Sequence, residues 1–111
     1  MHNIGVAFVR KGEEEKAYAY FRKAILRDRS YLASWMNIGA SDLKRNRLQR
    51  AELCLRRAFL LDPMNLIVNI NLSKVYKYLG DIEKGLAFAS RALDLYPNAE
   101  LAKENLKDIQ S

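Results

Sequence analysis

Cysteine, histidine and tryptophan occur once each in this chain, proline twice and glycine five times in 111 residues. A lone Cys54 closes no internal disulfide, so an exported, disulfide-stapled scaffold is not indicated and a cytoplasmic setting is the expectation. With His2 as the single histidine, no Ser–His or Cys–His pair has internal support. His2 and Cys54 together are too few ligands for a structural zinc site, and no glycine-rich phosphate loop is present. No apolar run approaches the ~20 residues that span a membrane. The opening stretch MHNIGVAFVRKGEEE turns polar too early for a secretory signal. The adjacent carboxylates Glu13, Glu14 and Glu15 sit at a helix start, where negative charge complements the helix dipole, and do not read as an acid–base pair. These absences lead to the expectation of a non-enzyme without cofactor or metal.

Half of the residues are apolar, and Ala, Leu, Lys, Arg and Glu are plentiful, a balance that favours an all-α protein. The length suits one domain. Net charge is +6, and the stretch KRNRLQRAELCLRR, residues 44 to 57, holds six Lys or Arg in fourteen positions. It reads either as the solvated face of two helices and their turn, interrupted by Glu52 and Asp42, or as a surface for nucleic acid, anionic lipid or an acidic peptide.

Shifted by 34 residues, the chain matches itself. Asn3, Asn37 and Asn71 align, as do Ile4, Ile38 and Leu72, and then Gly5, Gly39 and Ser73. Further columns are Gly12, Asn46 and Gly80; Ala17, Ala51 and Gly85; Ala24, Ala58 and Ala92; and Pro63 with Pro97. A fixed period with many agreeing columns marks a repeat array. Each period reads as two helices. The complete ones are expected over 31–45 and 48–61, then over 65–79 and 82–96. Asn46 and Gly80 are expected to end the first helix of each pair, because both residues enter the left-handed conformation cheaply. Pro63 and Pro97 stop the second helices. Ser30 and Asp81 are candidate N-caps.

These columns resemble the tetratricopeptide repeat (TPR) family, whose 34-residue pattern runs Trp, Leu-Gly, Tyr, Ala, Phe, Ala and Pro. The second period offers Trp35, Ile38, Gly39, Ala51, Leu55, Ala58 and Pro63. The third offers Leu72, Tyr76, Gly85, Ala89, Ala92 and Pro97, and the first Ile4, Gly5, Phe8, Ala17, Phe21 and Ala24. Asp42 stands where an aromatic is usual, Ser73 where Gly is, and Arg29 where Pro is. The resemblance implies a right-handed α-solenoid of antiparallel helix pairs with about seven helices. It divides a single domain, 1–111, into repeats at about 1–31, 32–65 and 66–99, with a closing helix at about 100–110. In that register the opening helix lacks about three residues and has no cap ahead of it. The expectation is therefore a piece of a longer protein, or a first helix that packs against another copy. In the closing helix, Leu101, Ala102 and Leu106 are expected to cover the last repeat.

Helical spacing places Trp35, Ile38, Gly39 and Asp42 on one face, toward the partner helix with Ala51, Leu55 and Ala58. Gly39 and Ala51 permit close approach, and Trp35 fills the space between repeats. Asn37 points elsewhere, with Ala33, Ala40 and Lys44. The same face of the third period holds Ile67, Asn71, Lys74 and Tyr78, and that of the first holds Asn3, Val6 and Arg10. In TPR arrays the first helices line the concave wall, so the resemblance implies a row of carboxamides, Asn3, Asn37 and Asn71. Each can offer a peptide unit two donors and an acceptor. Whether such a row grips peptide or merely binds water, the residues leave open. Arg10, Lys44, Lys74 and Lys77 would add positive potential, and Met36, Ile70, Leu43 and Tyr78 apolar contact. The expected partner is an extended or helical peptide with acidic and apolar residues. The clamp that one TPR subclass uses for acidic carboxy-terminal tails is not matched by His2, Met36, Ile70, Val6, Ala40 and Lys74 at its positions. Nucleic-acid binding through residues 44–57, or scaffolding within a larger multidomain protein, are the alternatives.

Overall fold

A computed structural model describes residues 32–111. Five helices fill that span: α1 (Leu32–Lys44), α2 (Leu48–Leu61), α3 (Leu66–Leu79), α4 (Ile82–Leu95) and α5 (Glu100–Gln110). The earlier helices expected from the 34-residue period lie outside the described residues, as do Asn3, Arg10, His2 and the caps at Gly12 and Ser30. The chain folds as an α-solenoid. α1 packs on α2 and α3 on α4, while α2 meets α3, α4 meets α5, and α1 and α5 both touch α3.

The turns follow from single residues. Asn46 has φ +62° and Gly80 φ +88°, so both hold the left-handed conformation that ends α1 and α3. α3 starts at Asn65, whose side chain accepts from the Val68 N–H at 3.0 Å, and α4 at Asp81, which accepts from the Lys84 N–H at 3.2 Å. The 62–65 turn around Pro63 is tied from three directions. Asn69 Nδ2 donates to the carbonyls of Pro63 (3.0 Å) and Asn65 (2.8 Å). Arg91 Nε donates to Pro63 O at 3.4 Å, and the Tyr96 hydroxyl donates to Met64 O at 2.7 Å.

The main core joins α2 to α3 through Ala51, Leu55, Ala58, Val68, Leu72, Val75 and Tyr76, with Trp35, Met36, Leu43, Phe59 and Phe88 packed around it. Burying a leucine such as Leu55 stabilises by about 1.5–3 kcal/mol. Gly39 is there because Leu55 is: a Cβ at residue 39 would lie 2.6 Å from Leu55 Cγ. Gly85 serves α4 in the same way, its missing Cβ falling 3.1 Å from the Ser73 carbonyl oxygen. Ile70, Ala92 and Ala102 form a second cluster beneath α5.

α5 is rotated relative to the expectation. Ala102, Asn105 and Ile109 are its buried residues, at i, i+3 and i+7, whereas Leu101 is 55% exposed and Leu106 only half-buried. The rotation is fixed by a polar tie. Asn105 Nδ2 donates to Ser73 Oγ at 2.7 Å, and Ser73 Oγ donates to Ile70 O at 2.6 Å. Lys77 Nζ reaches the Asp108 carbonyl at 2.7 Å, near the C-terminal end of α5, where a cation is favoured.

Candidate peptide groove

α3 presents two faces, and the buried one aims the other. On the buried side the Tyr76 ring stacks on Phe88 (centroids 5.6 Å apart, planes at 11°), and Phe88 meets Phe59 edge-on at 5.5 Å. The Arg56 guanidinium donates to the Tyr76 hydroxyl at 3.0 Å, and Lys84 Nζ lies 5.3 Å from the ring centroid. Burial pushes the Tyr76 phenol above its ordinary value of 10.0. The neighbouring Glu52 adds to the rise and Arg56 opposes it.

With that side fixed, Asn71, Lys74 and Tyr78 project together from α3. They meet Ala40, Leu43, Lys44 and Asn46 from α1 and its closing turn around a groove of about 450 Å³. Tyr78 is 58% exposed, Asn71 and Lys74 are half-buried, and Lys44 is exposed. The side chains of Asn71, Lys74 and Tyr78 have no hydrogen bond or ion pair among the described residues. Among the described residues, no acidic side chain lines the groove. A carboxamide with open donors and acceptor, two ammonium groups and a tyrosine ring thus converge on one hollow.

Five of the residues singled out from the sequence, Leu43, Lys44, Asn71, Lys74 and Tyr78, are brought together here. Others are not. Ile70, expected as an apolar contact, is 5% exposed and packs with Ala92 and Ala102; one residue's step around α3 from Asn71 turns it into the core. Met36 is half-buried against the α2 and α3 core. Lys77 is spent on the end of α5. Asn37 is half-buried on α1 and does not line the groove. Asn3 and Arg10 lie outside the described residues. Asn46 lines the groove without having been counted among the site residues. Its reading as a helix terminator concealed that the same left-handed turn carries its side chain to the rim.

A family model described as Tetratricopeptide repeat matches residues 1–31 and 67–99. The chain belongs to the tetratricopeptide repeat family. A curated relative, anaphase-promoting complex subunit 3 of Schizosaccharomyces pombe, is 31% identical over 91 residues, which are 82% of this chain and 14% of that protein. This TPR chain therefore spans about one-seventh of that relative's length. Among solved structures, the second TPR domain of the human RPAP3 protein in complex with the HSP70 peptide SGPTIEEVD superposes with a TM-score of 0.91 at 22% identity. That match covers 98% of this chain and 91% of that one. The Arabidopsis OM64 TPR domain superposes with a TM-score of 0.88 at 24% identity, covering 96% and 88%. At these identities the two structures establish the fold and leave the ligand open.

Among the described residues, no group of three or more His, Cys, Asp or Glu is placed to hold a metal ion, and no helix is long and apolar enough to cross a membrane.

Proposed function

We propose that this TPR chain is a protein-interaction module that holds an extended peptide segment, bearing acidic and apolar residues, in the groove between α1 and α3. One observation carries the reading: the Asn71 carboxamide stands half-buried and unbonded beside Lys74, Lys44 and the Tyr78 ring. A half-buried carboxamide with no partner in the fold keeps two donors and an acceptor available to a ligand. Here the complement is a peptide unit for Asn71, a carboxylate for Lys74 and an apolar or proline side chain for Tyr78. The TPR domain of human RPAP3 is seen with a peptide that ends Glu-Glu-Val-Asp, and an acidic ligand of that general kind suits the charge of this groove. The asparagine row enters the proposal as one rung, Asn71, since Asn37 stands outside the groove. The basic stretch 44–57 is divided between surfaces: Lys44 faces the groove, while Arg50, Arg56 and Arg57 are exposed on α2 with Leu53 and Leu60 among them. That division favours a protein ligand over a nucleic-acid backbone, which rewards an unbroken track of cations.

The experiment is an array of nine-residue peptides of varied composition, probed with the chain and with the variant Lys44→Glu, Lys74→Glu, Asn71→Ala. Peptides retained by the unmodified chain are expected to be enriched in Asp and Glu, and the variant is expected to lose them by tenfold or more. Retained peptides without acidic enrichment, or retention unaltered in the variant, refute the groove.

A further inference from the structure

α2 and α4 occupy equivalent places one period apart, and their outward faces have opposite character. On α4 the positions opposite the core are Glu83, Ala87, Ser90 and Asp94, all exposed, small or acidic. On α2 the corresponding positions bring Leu53 and Leu60 into solvent, 59% and 73% exposed, although each lies on the side of the helix away from the buried Ala51, Leu55 and Ala58. Single exposed leucines need no explanation. Two on one stripe, seven residues and so about 10.5 Å apart along the axis, form the spacing that a partner helix reads in knobs-into-holes packing. Arg57 on one flank and Arg56 on the other are exposed, Arg56 also donating to the Tyr76 hydroxyl. The only acidic residue of α2, Glu52, is half-buried beside Tyr76. Charge therefore selects the occupant: apolar in the middle and negative on both edges.

We infer that the outward face of α2 is a second docking surface, independent of the groove, for an acidic amphipathic helix of a partner protein. Such a helix lays its apolar residues between Leu53 and Leu60 and its carboxylates against the arginines. A nucleic-acid backbone has nothing to offer the two leucines. An anionic membrane surface offers both chemistries, but it would meet this convex helix along a narrow line, whereas a partner helix buries both flanks of the stripe.

The test uses the full chain and a designed helical peptide with leucine at every third and fourth position and glutamate on both flanks, labelled for fluorescence anisotropy. A scrambled peptide of the same composition is the control. The designed peptide is expected to bind and the scrambled one to bind at least tenfold more weakly. Leu53→Gln with Leu60→Gln is expected to weaken the designed peptide tenfold or more with no shift in thermal midpoint, since both residues face solvent. Lys44→Glu with Lys74→Glu, on the groove, is expected to leave it unchanged, which separates this surface from the proposed peptide site. Equal binding of the two peptides, or binding that survives the Leu53 and Leu60 variant, overturns the inference. So does Leu53- and Leu60-dependent sedimentation with phosphatidylserine vesicles in the absence of peptide binding. Concentration-dependent self-association lost in the same variant would give the face to a second copy and likewise overturn it.

Discussion

Where α1 meets α3, Asn71 keeps its carboxamide unbonded at the edge of a groove. Where α3 meets α5, the residue one period later in the same column, Asn105, is 5% exposed and donates to Ser73 Oγ at 2.7 Å. The two junctions share a residue type and a register, and they differ in the neighbouring column, where Gly39 in the first is replaced by Ser73 in the second. A serine supplies a hydroxyl that draws the asparagine into the packing. A glycine supplies none, and at residue 39 the space is already filled by Leu55. One small side chain thus decides whether an asparagine in this array is an internal tie or an open hand.

The sharpest way to break that contrast is to give the first junction the chemistry of the second. Gly39→Ser places a Cβ 2.6 Å from Leu55 Cγ, and Leu55 is fully buried. Serine is a slightly better helix former than glycine, but overpacking at such a contact typically costs about 1–3 kcal/mol. Urea denaturation is expected to show a net loss. An unchanged midpoint would mean that the contact relaxes freely and that sterics do not keep Asn71 open.

The reverse exchange weakens the second junction. Ser73→Ala removes the acceptor of Asn105 Nδ2 and leaves a buried amide unbonded, a penalty of about 1–3 kcal/mol. The loss should appear first as faster amide hydrogen exchange in α5, because that tie and the Lys77 contact with Asp108 O are what hold the helix's rotation. Uniform exchange across α3, α4 and α5 would show that the last helix is held by its apolar residues alone.

Much of this is legible in the sequence. The 34-residue period, the left-handed Asn46 and Gly80, the close approach at Gly39 and the burial of Leu55 all follow from residues whose conformational or volume preferences are strong and local. What resisted was rotation about a helix axis. Asn105 lies in the asparagine column, but its burial depends on a hydroxyl 32 residues earlier, and Leu101 is exposed because that bond turns α5 away from it. Ile70 and Asn71 are adjacent in sequence, yet one faces the core and the other the groove. Lys77 resembles Lys74 in composition and spacing, and only the presence of α5 claims it. The groove residues legible in advance were those on the exposed stripe of their own helix; those decided by a third element were not.

A smaller effect is expected behind the groove. Tyr76 orients α3 through Phe88 and Arg56, and burial raises its phenol above 10.0. A raised value means that the folded state favours the neutral phenol. Its contribution is therefore complete below pH 10 and lost as the pH rises through the folded-state value. Tyr76→Phe is expected to cost about 0.5–1.5 kcal/mol at neutral pH through the lost hydrogen bond from Arg56, and to flatten the decline in stability above pH 10. Spectrophotometric titration should show a late phenol in the parent chain that disappears in the variant. A variant with the same alkaline profile as the parent would detach Tyr76 from this role.

The smallest stability effect belongs to the residue proposed to matter most for binding. Asn71→Ala removes a side chain that bonds to nothing within the described residues, so the change is expected to stay within about 0.5 kcal/mol. Alanine is also the better helix former, and the sign can favour the variant. Asn105→Ala, the same substitution one period on, deletes a buried donor and leaves a void beside Ser73, and it should cost more than its counterpart by about 1 kcal/mol or more. The difference between the two is the quantity to measure, by urea unfolding of both variants side by side, because the parent chain and the helix propensities cancel in it. A stability gap in favour of Asn105 together with a binding loss confined to Asn71 is what two junctions with divided labour require. Equal costs at both sites would return Asn71 to the packing and close the groove as a place for ligand.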